Sequence, residues 1–207
     1  IMKEENGGKR KLSKRKDPEL SLDYYRQEGY HPQAVKEYLL TILNSNFEEW
    51  RIENPDSPID DFKFTTEKMS SGGALFDLNK LNDISKDVLV KIPAAELTKF
   101  MTEWAREFAS ELYAEMTANP DYTNAIFAIG RGGKKPRKDI AVWSECKDYM
   151  GYMFNAPEAY EDISDLRGRE KIADILKAYA EVYDPADDSS AWFEKVKAIA
   201  ASLGYAT

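Results

Sequence analysis

Apolar positions divide the chain at Ile92-Pro93. Beyond that dipeptide they recur at helical spacing. Leu97, Phe100, Met101, Trp104, Phe108, Leu112 and Met116 lie on one stripe and predict an unbroken helix over 94–118. Asn119-Pro120-Asp121 ends that stripe and opens a shorter helix with Tyr122, Ile126, Phe127 and Ile129. Ile140, Trp143, Cys146, Tyr149, Met150 and Met153 predict a further helix, and Ile172, Ile175, Leu176, Tyr179, Val182 and Tyr183 another. Trp192, Phe193, Val196, Ile199, Ala200 and Leu203 predict the last. Aromatic and methionine side chains at this spacing read as core, so the stretch from 93 onward is expected to be a bundle of about five helices.

The stretch before 93 is more mixed. Pro32 suits a first helical turn, and Val35, Tyr38, Leu39, Ile42 and Leu43 then form one apolar face that ends at Asn44-Ser45-Asn46. Residues 47–51 continue as a turn or two of helix, and Asn54-Pro55-Asp56-Ser57-Pro58 is a loop. Leu75, Phe76, Leu78, Leu81, Ile84, Val88 and Leu89 read as short helices, while 17–30 reads as a short mixed segment. The expected fold is mainly α: a small mixed and helical unit over 1–92, then a helical bundle over 93–207.

Composition narrows the class. The 207 residues are 43% hydrophobic, enough for a buried core, and include no apolar run of membrane-spanning length. Residues 1–16 are too charged for a signal peptide. The single Cys146 excludes an internal disulfide and fits a reducing compartment. It sits far from the only histidine, His31, so it reads as a buried small hydrophobe and no metal site is expected. The net charge is −8, but it is unevenly spread. Residues 1–16 carry seven Lys or Arg against two Glu, and residues 131–138 carry five and no acid. Two concentrated cationic sites on an acidic body can hold a polyanion locally.

The first site, Lys9-Arg10-Lys11-Leu12-Ser13-Lys14-Arg15-Lys16, follows Gly7-Gly8. On composition alone it is a phosphate-gripping loop or merely a solvated basic run. Its order decides more. Lys11-Leu12-Ser13-Lys14-Arg15 resembles the K-[ML]-S-K-[SR] signature of class I aminoacyl-tRNA synthetases, in the form typical of the glutamyl-tRNA synthetases. Other blocks are similar to the same family: Gly29-Tyr30-His31-Pro32 with the helix after it, Asn44–Arg51, Gly73-Ala74-Leu75-Phe76-Asp77-Leu78-Asn79-Lys80-Leu81, Pro136–Trp143 and Gly204-Tyr205-Ala206. The signature and the G-A-[LV]-F-D-x-x-K-L block are specific together, and the resemblance spans essentially the whole chain.

The resemblance implies an ATP-dependent ligase that attaches glutamate to its tRNA, active in protein biosynthesis in the cytoplasm. It implies a stem-contact region over 1–92 and an anticodon-binding bundle over 93–207 that is incomplete at its C-terminus. The family's H-[IV]-G-H motif belongs to a Rossmann-like catalytic domain. That motif is absent here, so the chain is expected to be an interior piece that does not itself activate glutamate. Lys11, Ser13, Lys14 and Arg15 would then serve ATP phosphates only in the intact enzyme, with Mg, and no cofactor is expected on this chain. Cut off from that domain, the signature loop is expected to be a loose N-terminal arm.

The implied partner is tRNA(Glu), with tRNA(Gln) open as a second substrate, and not DNA or a membrane; a monomer is expected. Arg131, Lys134, Lys135, Arg137 and Lys138 are the candidates for tRNA contact, with Arg167 and Arg169 as a weaker set near Lys171. The residues that would read anticodon bases are not named by the sequence, because the helical aromatics all fit core positions. The competing reading is a non-catalytic helical protein-interaction module whose basic loops only solubilise it.

Overall fold

The computed structural model describes residues 1–5, 7–69, 73–156 and 172–205. It is mainly α: among the described residues there are ten α-helices and one two-stranded sheet. The chain divides into two compact units, residues 1–156 and 157–207.

Unit 1 begins with an antiparallel hairpin, β1 (Met2–Glu5) and β2 (Gly8–Lys11), turning at Gly7 in the left-handed region. Met2 docks it on the body, its N–H donating to Ala74 O and its carbonyl accepting from Phe76 N–H, both at 2.7 Å. The signature loop therefore lies beside the Gly73–Leu81 block and is not the loose arm expected from sequence. Backbone pairing to Ala74 and Phe76, which composition does not reveal, holds it down.

Helices α1 (Leu22–Glu28), α2 (Pro32–Leu43), α3 (Ser45–Glu53) and α4 (Leu78–Leu89) follow. The mixed segment expected over 17–30 thus contains a true helix, capped by Ser21 and ended by Gly29. Asn44 terminates α2 and caps α3: its Oδ1 accepts from Asn46 N–H while its Nδ2 donates to Thr65 O. Residues 78–89 form one helix rather than several. The core here gathers Leu12, Tyr30, Val35, Tyr38, Phe76 and Leu81. Fully buried Tyr38 meets Phe76 edge to face, its hydroxyl accepting from Asp77 N–H at 2.7 Å.

A second core joins α5 (Ala94–Phe108), α6 (Ser110–Ala118), α7 (Pro120–Ala128) and α8 (Cys146–Phe154) through Leu97, Met101, Leu112, Met116, Phe127 and Met150. The single helix expected over 94–118 breaks at Ala109, where φ is −147° and ψ 71°. Both halves pack on α7; Trp104 of α5 also donates from Nε1 to the carbonyls of Arg26 and Gln27 at the end of α1, and α6 also meets α8. The helix expected from Ile140 likewise starts later, after a 3-10 turn at Trp143–Glu145. Ala141, at a bend, and Val142, which is extended, are buried in the first core, while Trp143 is buried in the second. Cys146 is buried in the second core, where burial pushes its thiol pKa up.

Unit 2 is a helical hairpin of α9 (Ile172–Val182) and α10 (Ser189–Ser202). Trp192 Nε1 donates to Tyr179 Oη at 2.9 Å, and Lys195 pairs with Asp187 at 2.6 Å. Leu176, Tyr183, Trp192 and Phe193, expected in the core, are exposed among the described residues, since each of two paired helices buries only the stripe that faces the other.

Two expected outcomes follow from α1 and α2. Gly29 has φ +83°, and an added Cβ would lie 2.5 Å from Trp143 Cβ. Gly29→Ala is expected to destabilise the chain by about 3 kcal/mol or more, read by urea unfolding. His31 caps α2 through Nδ1 and is partly buried, which pushes its pKa below 6.5 against the opposing charge of Glu96. The unfolded chain therefore takes up the proton first. This stability is full above pH 6.5 and declines as the pH falls below it. With one histidine in the chain, the difference in unfolding free energy between wild type and His31→Asn should show that decline as pH is lowered.

Candidate nucleic-acid interface

Strand alternation sorts the first cationic cluster. Arg10 faces inward: Nη1 and Nη2 grip the two oxygens of Asp17 at 2.7 and 2.8 Å, and Nε donates to Glu5 at 2.6 Å. Buried Asp17 also accepts from Ser13 N–H at 2.7 Å. This fork and amide hold the carboxyl well below the usual carboxylate range, with a smaller contribution from Lys3. Lys3 itself bonds Glu19 at 2.8 Å. The turn 13–17 closes by N–H donation from Lys16 and Asp17 to Ser13 O, and Leu12 is tucked into the core. Ser13 Oγ accepts from Arg15 N–H. What remains outward is Lys9, Lys11, Lys14, Arg15 and Lys16, all exposed and without an acidic partner among the described residues.

The second cluster is a loop pinned at its neck, where Arg137 N–H donates to Gly130 O at 2.9 Å. Its five cations differ in kind. Arg131 is turned inward, Nη1 donating to Leu89 O and Ile92 O at 2.6 and 3.0 Å and Nε to Phe127 O at 3.0 Å. These carbonyls lie at the ends of α4 and α7, so Arg131 serves as a cap joining two helices, and desolvation lowers its pKa. Arg137 pairs with Asp139 at 2.6 Å and donates to Tyr149 Oη at 3.1 Å, which raises its pKa. Lys138 pairs with Asp87 at 2.5 Å. Lys134 and Lys135 are exposed with no acidic partner among the described residues. Arg167 and Arg169 lie outside the described residues.

Sequence reasoning missed Tyr149. It was assigned to a core stripe yet is 44% exposed, beside Arg137 and the still more exposed Tyr152. The signal was available: Tyr149 and Tyr152 are three apart and share a helix face next to the basic loop. Among the described residues no helix is long and apolar enough to cross a membrane.

No protein-family profile matches the chain. Relatives do. It is 53% identical over 207 residues to the glutamate–tRNA ligase of Acetivibrio thermocellus, covering all of this chain and 38% of that protein. It is 44% identical to that of Clostridium perfringens strain 13, over all of this chain and 39% of the relative, and 39% identical to that of Sorangium cellulosum, over 96% and 35%. The chain belongs to the glutamate–tRNA ligase family. It spans little more than a third of the length of these relatives.

The two kinds of cation in the second loop separate experimentally. Arg131→Met, which removes donors from buried carbonyls, should cost about 1–3 kcal/mol of stability. Lys134→Ala and Lys135→Ala should each stay within about 0.5 kcal/mol of wild type. Thermal unfolding of the three variants checks the contrast.

Proposed function

We propose that this chain is the tRNA-binding portion of a glutamate–tRNA ligase. The observation that carries the proposal is the identity to ligases over the whole of this chain, 53% over 207 residues in one case. Two sets of outward, unpaired cations on one compact unit support it: Lys9, Lys11, Lys14, Arg15 and Lys16 on the hairpin, and Lys134 and Lys135 on the loop. Cations without internal partners are those free to neutralise phosphates.

In this reading residues 1–92 form the signature loop and stem-contact region, and residues 93–207 belong to the anticodon-binding bundle. The intact ligase joins glutamate to tRNA(Glu), and tRNA(Gln) stays open, with ATP and Mg supplying the activation. Lys14 is the leading phosphate contact, with Lys11, Ser13 and Arg15 beside it. The physical demand is for donors where negative charge moves during displacement of pyrophosphate. Arg10 does not take this part, because Asp17 holds both of its terminal nitrogens. Arg137 and Lys138 contribute less than Lys134 and Lys135, since each already neutralises an aspartate.

Filter binding of tRNA(Glu) to the chain, repeated across salt concentrations, tests this. Affinity should fall steeply with salt, and the Lys134→Ala/Lys135→Ala double variant should flatten the log–log slope by about 1.5–2. No binding at low salt would overturn the proposal in favour of a protein-interaction module. The chain alone should give no glutamate-dependent ATP–pyrophosphate exchange.

A further inference from the structure

Between the ends of α4 and α7, the neck of the second basic loop and α8 lies a cleft of about 110 Å³. Phe127 and Met150 in its lining are buried, whereas Ile129, Tyr149 and Tyr152 are exposed. A single exposed apolar side chain is ordinary, but three around one cleft make a patch. The cleft is smaller than the ~150 Å³ of an enclosed cavity that admits benzene. It therefore has no room for a helix or a peptide strand, but one edge of a flat ring fits, with the rest lying against the exposed tyrosines.

One of those rings is held in place. Arg137 Nη2 donates to Tyr149 Oη at 3.1 Å, and Arg137 is itself fixed by Asp139 at 2.6 Å. Its stem lies so close to Gly130 that an added Cβ there would sit 2.6 Å from Arg137 Cδ. Tyr152, three residues on from Tyr149, lines the same cleft and is 62% exposed. The charge around the cleft is one-sided. Lys86, Arg131, Arg137 and Lys138 line it against Asp139 as the one acid. Arg137 also closes the neck of the loop that carries the outward Lys134 and Lys135.

We infer that Tyr149 and Tyr152 form a stacking platform for one unpaired base of the bound tRNA, whose flanking phosphates lie against the adjoining basic loop. A nucleotide matches both halves of the surface: a flat base for the tyrosine faces, and phosphate for the surplus of cations. An apolar side chain of a protein would use the first half and gain nothing from the second. The base is unpaired, because a duplex keeps its bases stacked inside and offers no free face. The platform holds a base by that face, and a held ring binds at less entropic cost than a mobile one. The inference rests on the tRNA reading above and deepens it.

Filter binding with two RNAs makes the test. Tyr152→Ala removes an exposed ring and should weaken tRNA(Glu) binding at least about fivefold, whereas Tyr152→Phe should stay within about twofold of wild type. Neither variant removes a cation, so the salt slope should stay that of wild type. Hexauridylate should bind at least about fivefold more tightly than an abasic ribose-phosphate strand of the same length and charge. That preference should collapse to about one in the Tyr149→Ala/Tyr152→Ala double variant. Failure of tRNA(Glu) to bind the wild type at low salt would remove the tRNA reading and this inference with it. Salt-dependent tRNA binding that Tyr152→Ala leaves intact would overturn the inference alone and give the patch to an apolar side chain of a protein partner. Equal binding of hexauridylate and the abasic strand would also overturn it. So would equal losses in Tyr152→Phe and Tyr152→Ala, which would make the hydroxyl the contact, or uridine monophosphate binding as tightly as hexauridylate, which would make the occupant a free nucleotide.

Discussion

Three consecutive residues, Ala141, Val142 and Trp143, hold unit 1 together. Ala141 and Val142 are buried in one core and Trp143 in the other, so one short segment serves both. Its backbone is secured from two sides. The buried Ser85 Oγ donates to Ala141 O at 2.6 Å, and Trp143 N–H donates to Gly29 O at 3.2 Å. A regular α-helix through these residues would bond its own carbonyls. Val142 is extended instead, which leaves Ala141 O to Ser85 of α4, and Trp143 then opens the 3-10 turn.

The same segment fixes the second basic loop. The loop leaves α7 through Arg131, whose guanidinium ties it to the ends of α4 and α7, and it returns directly into Ala141–Trp143. It is thus held firmly at both ends and is bare in the middle, where Lys134 and Lys135 stand out. The hairpin follows the same plan. Arg10 and Lys3 neutralise Asp17 and Glu19 beneath, and the outward lysines are left unpaired above. In both places an inward arginine makes structure, so that neighbouring cations of the same sequence run need not.

Much of this was legible in the chain. The apolar stripes of α2, α5, α7, α9 and α10 set their helices, and Pro32 and Pro120 marked two starts. The motif order in Lys11–Arg15 pointed to the family that whole-length identity then showed. What failed had one cause: periodicity reports which residues are apolar and not what they meet. It ran through Ala109, where the backbone leaves the helical region although both halves of the stripe stay in one core. It extended a helix back to Ile140, where apolar residues belong to a non-helical connection. It also counted Tyr149 and Trp192 as core, although tyrosine and tryptophan tolerate water at one edge. The cationic runs hid a similar distinction, since composition cannot tell Arg131, bound to carbonyls, from Lys134, which has no acidic partner among the described residues.

The bond from Arg137 N–H to Gly130 O closes the loop at its neck, and beyond the inward Arg131 it makes residues 132–136 an addition to the fold rather than part of it. Gly132 and Gly133 have no atom within 4 Å of where a side chain would begin. Length and charge there can therefore drift between lineages without disturbing either core. Grip on a polyanion and persistence of the fold are separately adjustable properties of this chain, and selection can retune the first while leaving the second untouched.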